Sequence, residues 1–230
     1  MSHTDDQVLR FTVNERVQHL ALMVCAILLV ITGLSLRYAD TGFGRAVIEL
    51  EGGIEARGYL HRLAAAGLML VWAYHVLYIM FTERGHAQFM AILPCRADCR
   101  DLALTLRHSL GTAAEPAAAE HFDFRQKFQY WAVGLAVASM VFTGLVMWFA
   151  TAAMAVMPKW VMDLAVVIHS GEALLIFLVL FVWHLYDTHL RPGVFPMDRT
   201  WITGRLSREE LRQRHPREHA RLFGGGEGQP

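Results

Sequence analysis

The sequence has 230 residues, of which 54% are hydrophobic and 18% are charged, and its formal net charge is zero. A soluble domain of this length usually carries nearer a quarter of charged residues, so the composition favours a membrane protein. The balanced charge gives no indication of a nucleic-acid partner.

Four apolar blocks of roughly 20 residues run through the chain, and each is long enough to cross the ~30 Å hydrocarbon core of a bilayer as a helix. In chain order they cover residues 17–36, 60–81, 130–150 and 160–185. The predicted fold class is therefore an all-α integral membrane protein, a bundle of four transmembrane helices. We assign residues 1–190 to this membrane domain and residues 191–230 to a C-terminal tail.

The basic residues are distributed unevenly along the chain. Sixteen of the 21 Lys and Arg residues lie in the N-terminus, in the segment between the second and third blocks, and in the tail. Because basic loops stay on the cytoplasmic side, both termini and the middle segment are predicted to be cytoplasmic. The expected location is a bacterial-type inner membrane.

Two local patterns predict helix starts in the polar segments. Thr12-Val13-Asn14-Glu15 and Ser207-Arg208-Glu209-Glu210 both have the spacing of a capping box. Amphipathic stretches at residues 45–50 and 101–109 indicate two further short helices outside the apolar blocks.

Five of the 12 histidines lie inside or at the edges of the apolar blocks. On the predicted topology, His61 and His169 lie near the outer face. His75 follows 14 residues after His61 and His184 follows 15 after His169, which corresponds to ~21–23 Å along a helix. His19 joins the inner layer at the cytoplasmic start of the first helix. Polar residues at this depth are costly, so they favour a functional site.

Haem is the chemistry that best explains histidines at two matched depths. A low-spin haem iron takes two axial ligands from opposite sides, and imidazole suits it. The pattern predicts an outer haem between His61 and His169 and an inner haem ligated by His184 with either His19 or His75. A histidine-rich metal transporter is the alternative from a different functional class.

Several short motifs then resemble the cytochrome b subunits of formate dehydrogenase and nickel–iron hydrogenase. They are Asn14-Glu15-Arg16-Val17-Gln18-His19, Arg57-Gly58-Tyr59-Leu60-His61, Arg125-Gln126-Lys127, Val167-Ile168-His169 and Trp183-His184-Leu185-Tyr186. The tail sequence Val194-Phe195-Pro196-Met197 is similar to a branch that accompanies multihaem c-type cytochromes. The similarity runs from about residue 10 to residue 221.

The resemblance implies two haem b groups, with His61 and His169 on the outer one and His19 and His184 on the inner one. The family uses no histidine at the position of His75. Three interpretations remain for His75: it replaces His19 as a ligand, it lines a quinone site, or it is structural. The assignment of His19 with His184 is preferred.

The resemblance also implies a quinone pocket at the approach to the third helix. Asp123 stands where the family has a polar amide, with Gln126 and Lys127 close by in sequence. A carboxylate there would exchange the proton that accompanies quinone chemistry.

The predicted function is electron transfer across the membrane between a redox partner on the outer face and the quinone pool. The expected partner is a multihaem c-type cytochrome or a dehydrogenase or hydrogenase module. The sequence contains no nucleophile motif, metal-cluster motif or nucleotide-binding loop, which favours an electron-transfer subunit over a stand-alone substrate enzyme. A self-contained quinol oxidoreductase is the nearest alternative.

Overall fold

The structure, a computed structural model, describes residues 6–115, 117–192 and 194–224. The longer helices are α1 Val13–Arg37, α2 Gly42–Leu50, α3 Ile54–Phe81, α4 Glu83–Ile92, α5 Arg96–Ser109, α6 Phe124–Trp148, α7 Ala150–Val156 and α8 Lys159–Leu178. Helix α8 continues through two π-helical segments, Val179–His184 and Tyr186–Leu190. The C-terminal part contains α9 Thr200–Thr203, α10 Arg208–Arg214 and α11 Pro216–Phe223. Two short strands, β1 Gln7–Leu9 and β2 Arg205–Ser207, form one antiparallel pair.

Four of these elements are long and apolar enough to cross a membrane. They are Val13–Arg37, Ile54–Phe81, Phe124–Trp148 and the continuous stretch Lys159–Leu190. Each contains or closely overlaps one predicted apolar block. The predicted all-α membrane fold with four spanning helices is confirmed.

The burial pattern of α1 is the reverse of that in a soluble helix. Its buried residues are Gln18, Thr32 and Ser35, whereas Leu20 and Ile31 are nearly half exposed. In a bilayer the lipid solvates aliphatic side chains, while polar side chains need partners inside the protein. The pattern therefore agrees with a helix whose apolar face contacts lipid.

The predicted capping boxes are both present. The backbone N–H of Thr12 donates to Glu15 Oε2 at 2.7 Å, and the N–H of Glu15 donates to Thr12 Oγ1 at 3.3 Å. Ser207 and Glu210 form the same reciprocal arrangement at the start of α10. These bonds satisfy donors that a helix N-terminus leaves unpaired.

The chain divides into two compact units. The four-helix unit comprises Val17–Val76 and Val133–Asp198. The terminal unit comprises Leu77–Ala132 together with the described residues up to Arg16 and from Arg199 onward. Much of the predicted tail therefore packs with the N-terminal segment and the middle loop.

A buried ion pair lies within the terminal unit. Arg10 is 4% exposed and Glu218 is 5% exposed, and Arg10 Nη1 lies 2.6 Å from Glu218 Oε2. The ring of His121 lies 2.5 Å from the other oxygen of Glu218. Burial opposes the charged form of Glu218, but His121 and the positive charge of Arg10 outweigh it and lower the pKa of Glu218 to about 2. The pair joins α11 to the N-terminal segment.

Candidate functional site

Four of the five intramembrane histidines form two facing pairs in the four-helix unit. The first pair is His61 on α3 and His169 on α8, whose ring centroids lie 6.4 Å apart with an interplanar angle of 67°. The second pair is His19 on α1 and His184 in the first π-helical segment, with centroids 6.3 Å apart and an angle of 42°. The two pairs are separated by 15 residues along the fourth spanning segment.

The spacing of each pair fits a metal ion held between two imidazoles. A ring nitrogen binds a transition metal at about 2.0 Å, and the ring centre lies about 1.1 Å behind that nitrogen, so two ligands on opposite sides of the metal would place their centroids about 6.2 Å apart. The observed 6.3 and 6.4 Å agree with this value. The donor set, two imidazoles that face each other between membrane-spanning helices, is the one that low-spin haem iron uses.

A threonine on α1, the preceding spanning helix, orients His61. Thr32 Oγ1 donates its only proton to the carbonyl oxygen of Leu28 at 2.6 Å. The contact of 2.8 Å between Thr32 Oγ1 and His61 Nδ1 is then a hydrogen bond donated by the ring. Nδ1 therefore carries the proton, which leaves Nε2 deprotonated as the metal-binding atom.

The same arrangement orients His169. Thr143 Oγ1 donates to the carbonyl oxygen of Ser139 at 2.8 Å, and the Nδ1 of His169 lies 2.9 Å from Thr143 Oγ1. Both imidazoles of the first pair thus have the tautomer that a haem ligand needs. Outer-shell hydrogen bonds of this kind fix the ring plane and raise the basicity of the ligand.

Each orienting threonine is followed by a glycine that faces the same ring. A Cβ placed on Gly33 would lie 3.6 Å from Cε1 of His61, and a Cβ on Gly144 would lie 3.2 Å from Cε1 of His169. Cε1 lies between the two ring nitrogens, and the next ring atom near the Cβ at Gly144 is Nδ1 of His169 at 3.7 Å, so this glycine lies along the Nδ1–Cε1 edge of the ring. A side chain at Gly144 would crowd that edge.

His75 is hydrogen-bonded to a residue of α1. Its Nδ1 donates to Gln18 Oε1 at 2.8 Å, and Gln18 is 9% exposed. The bond joins α3 to α1. Of the three interpretations of His75, this contact favours a structural role.

One acidic residue lies close to the first pair. Glu172 follows His169 by three residues and accepts a hydrogen bond from Ser139 Oγ at 2.6 Å. The carboxyl group is therefore bound to α6, which also carries Thr143. Among residues 6–115, 117–192 and 194–224 no group of three or more His, Cys, Asp or Glu side chains is arranged to hold a metal ion. These residues therefore give no support to the alternative of a metal transporter.

The three predicted quinone residues all have structural partners in the terminal unit. Asp123 Oδ1 accepts from the N–H of Gln126 at 2.8 Å, while Gln126 Oε1 accepts from the N–H of Asp123 at 3.0 Å. This reciprocal pair caps the start of α6. Lys127 is 9% exposed, and its Nζ lies 3.0 Å from Asp98 Oδ1 and 3.7 Å from Cys95 Sγ.

Thr32, Thr143 and Gln18 were not among the site residues predicted from the sequence. A signal for the threonines exists in the sequence, because Val30-Ile31-Thr32-Gly33-Leu34 and Val141-Phe142-Thr143-Gly144-Leu145 differ at one position only. Both stretches lie in the helix that precedes a ligand helix. Gln18 has no comparable signal, since its role depends on the position of His75 on another helix.

Comparison with known proteins supports the same chemistry. Residues 10–190 match the family described as prokaryotic cytochrome b561. The chain is also 20% identical over 216 residues to the cytochrome b556 subunit of formate dehydrogenase from Haemophilus influenzae, a match that covers 93% of this chain and 82% of that protein. The matched region of the family includes all four histidines of the two pairs.

Proposed function

The chain belongs to the prokaryotic cytochrome b561 family, and we propose that it carries electrons across the membrane between a redox partner and the quinone pool through two b haems. The observation that carries the proposal is the presence of two histidine pairs, each with the centroid spacing of a bis-histidine metal site. The pairs share the fourth spanning segment, where His169 and His184 are 15 residues apart, as a route across a bilayer requires.

The proposed ligands are His61 and His169 for one haem and His19 and His184 for the other. A haem with two histidine ligands supplies one-electron transfer and leaves no coordination position for a substrate. The hydroxyl groups of Thr32 and Thr143 hold the imidazoles of His61 and His169 in the orientation of neutral ligands.

The proposed orientation puts the termini and the middle loop in the cytoplasm of a bacterial cell. The positive-inside rule supports it, because 16 of the 21 basic residues lie in these segments. The pair of His61 and His169 is then the outer one, and the pair of His19 and His184 is the inner one. A haem held by His61 and His169 would exchange electrons with the partner on that side.

The quinone is proposed to react at the cytoplasmic side, with Asp123, Gln126 and Lys127 as candidate contacts. Asp123 supplies a carboxylate for proton exchange, and its other task is to cap α6. Asp98 balances the charge of Lys127; although burial opposes ionisation of Asp98, hydrogen bonds from the Cys95 N–H and from Lys127 lower its pKa.

The proposed partner is the catalytic module of a dehydrogenase, as the name of the Haemophilus relative suggests. A multihaem c-type cytochrome is the other candidate, suggested by the resemblance of the tail. Purification of the complex from native membranes separates them, since a c-type partner retains haem after denaturation and a dehydrogenase module does not.

The experiment that tests the function starts from the full-length protein purified in detergent. Pyridine haemochrome analysis is expected to give two b haems per chain, and addition of a quinol or of the reduced partner is expected to reduce both. A colourless protein would contradict the proposal. If the protein binds haem but exchanges electrons with no quinol, the part of the proposal that concerns the quinone is wrong.

A further inference from the structure

Arg57 occupies a position next to the first histidine pair that the electron-transfer proposal leaves unexplained. It lies on α3 four residues before His61, so both side chains project from the same face of the helix, one turn apart. Arg57 is 9% exposed, and its Nε donates to the carbonyl oxygen of Thr32 at 2.5 Å. The guanidinium is therefore fixed beside the threonine that orients His61.

The charge of Arg57 lacks a close acidic partner. In the described part of the chain no carboxylate lies within 4.0 Å of its guanidinium. Glu51 contributes a balancing charge at longer range; its Oε2 accepts from Ser35 Oγ at 3.0 Å, and its Oε1 is buried without a hydrogen-bond partner among the described residues. A buried guanidinium with only a carbonyl contact is costly unless an anion completes its hydrogen bonds.

Haem carries such an anion. Two propionate side chains end in carboxylates at one edge of the macrocycle, and the arginine fork matches a carboxylate with two parallel hydrogen bonds. Because the fork has five N–H donors and the described bonds use only Nε, the terminal nitrogens are available for this contact.

We propose that Arg57 binds a propionate carboxylate of the haem ligated by His61 and His169; the inference rests on the proposed function. Arg57 would then act as an anchor that sets the rotation of the macrocycle about its two axial ligands. It also places a positive charge beside this haem, whereas the residue four positions before His19 on α1 is Glu15.

Arg62 provides a matched control. It is adjacent to His61 in sequence but exposed, and its guanidinium lies over the rings of Tyr59 at 5.3 Å and Trp148 at 6.0 Å. Arg62 thus has the same charge in the same region but has aromatic partners.

The test compares Arg57→Gln and Arg62→Gln in full-length protein that also carries His19→Ala, so that only the haem of the first pair is bound. Each apoprotein is titrated with haem b and with its propionate dimethyl ester. The expected result is that Arg57→Gln weakens binding of haem b by about ten- to a hundredfold but leaves binding of the ester unchanged. Arg62→Gln is expected to bind both forms as the parent does.

Two outcomes overturn the inference. Equal weakening of both haem forms by Arg57→Gln would mean that the arginine only stabilises the helices, and unchanged binding of haem b would mean that it makes no propionate contact. A circular dichroism spectrum and the binding of the ester show that the variant is folded. If the parent protein binds neither form, the proposed function itself fails, which is a separate result.

Discussion

The ring of His75 donates a hydrogen bond of 2.8 Å to Gln18, the residue that immediately precedes His19 in α1. Two neighbouring residues of one helix thus contact different histidines. Gln18 is hydrogen-bonded to His75, while the ring of His19 faces that of His184 with the centroids 6.3 Å apart. The sequence left His19 and His75 as alternative ligands of the inner haem. This arrangement favours His19 and makes the two residues separable by mutation.

We expect His19→Ala to reduce the haem content from two per chain to one, and His75→Ala to leave it at two. Removal of an axial ligand leaves the iron with a single protein ligand, whereas loss of His75 removes only one hydrogen bond between helices, worth about 1 kcal/mol. Pyridine haemochrome analysis of the purified variants measures both. Loss of one haem in His75→Ala with two retained in His19→Ala would reverse the assignment.

Thr32→Val and Thr143→Val are expected to raise the reduction potential of the haem at the first pair. Valine has nearly the same shape as threonine but cannot accept the Nδ1 proton, so the imidazole becomes a weaker donor and the ferrous form is favoured. A tenfold change in the equilibrium corresponds to about 59 mV, and a shift of this order is expected for either variant. A spectroelectrochemical titration gives the value.

Thr32→Ser and Thr143→Ser are the controls for that titration, because serine keeps the hydroxyl group. They are expected to titrate like the wild type. If the valine variants also titrate like the wild type, the hydrogen bonds at 2.8 and 2.9 Å do not influence the metal.

The two glycines beside the first pair should differ in their tolerance of a methyl group. In Gly144→Ala the new Cβ would lie 3.2 Å from Cε1 of His169, which is closer than ordinary van der Waals contact, so the ring or helix must shift. In Gly33→Ala the corresponding distance to His61 is 3.6 Å, an ordinary contact. We expect Gly144→Ala to change the electron paramagnetic resonance spectrum of the low-spin haem and Gly33→Ala to preserve it. The opposite ranking would contradict the geometry.

Substitution of Asp123 separates its capping role from a role in proton exchange. Asp123→Asn keeps an oxygen that accepts from the N–H of Gln126, so both haems and the stability should be retained. If the carboxylate exchanges the quinol proton, stopped-flow reduction of the haems by quinol should slow by about a hundredfold. Reduction by dithionite should be unchanged and serves as the control.

Asp123→Ala removes the cap as well and is expected to cost about 1 kcal/mol of stability. If Asp123→Asn oxidises quinol at the wild-type rate, Asp123 caps α6 and takes no part in proton exchange.

The free energy of unfolding of the terminal unit should decrease as the pH falls below about 6.5. Burial, together with the positive charge of Arg10, lowers the pKa of His215 to about 4, although Glu218 opposes the effect. Between these pH values the unfolded segment binds a proton that the folded segment does not, so stability decreases by up to about 3 kcal/mol as the pH falls from 6.5 to 4. Hydrogen exchange of α11, corrected for the intrinsic rate at each pH, measures this loss.

His215→Asn retains a donor for the carbonyl oxygen of Glu120, which His215 contacts at 2.7 Å, but does not titrate. We expect its exchange to be nearly independent of pH in this range. His219→Asn, within α11, is the control, and its exchange should show the pH dependence of the wild type. A wild-type pH dependence in His215→Asn would attribute the effect to another group.

The spanning helices could be predicted from the sequence because their signal is local. About 20 apolar residues in a row must form a helix in lipid, where an unpaired backbone group is costly, and this is why each predicted block corresponds to one spanning element. The two capping boxes were predictable for the same reason, since the partners are three residues apart. The histidines of the two pairs were identifiable because polar residues are rare in such blocks.

The partners of those histidines depend on contacts between helices, and no single-helix pattern contains them. His184 lies in a π-helical segment, so a constant 3.6-residue periodicity does not give its direction. Whether His19 or His75 faces His184 depends on the rotation of α1 and α3, and the bond between His75 and Gln18 belongs to that packing.

The sequence by itself thus determined the membrane fold, the four spanning segments and the candidate ligands, because lipid imposes a length and a polarity on each segment separately. The tertiary structure decided which imidazoles face each other, which threonines fix their tautomers and which arginine lies beside the first pair. The histidine pairs and the threonine contacts join residues 26 or more positions apart, such as Thr143 and His169, and only the packing of the helices brings them together.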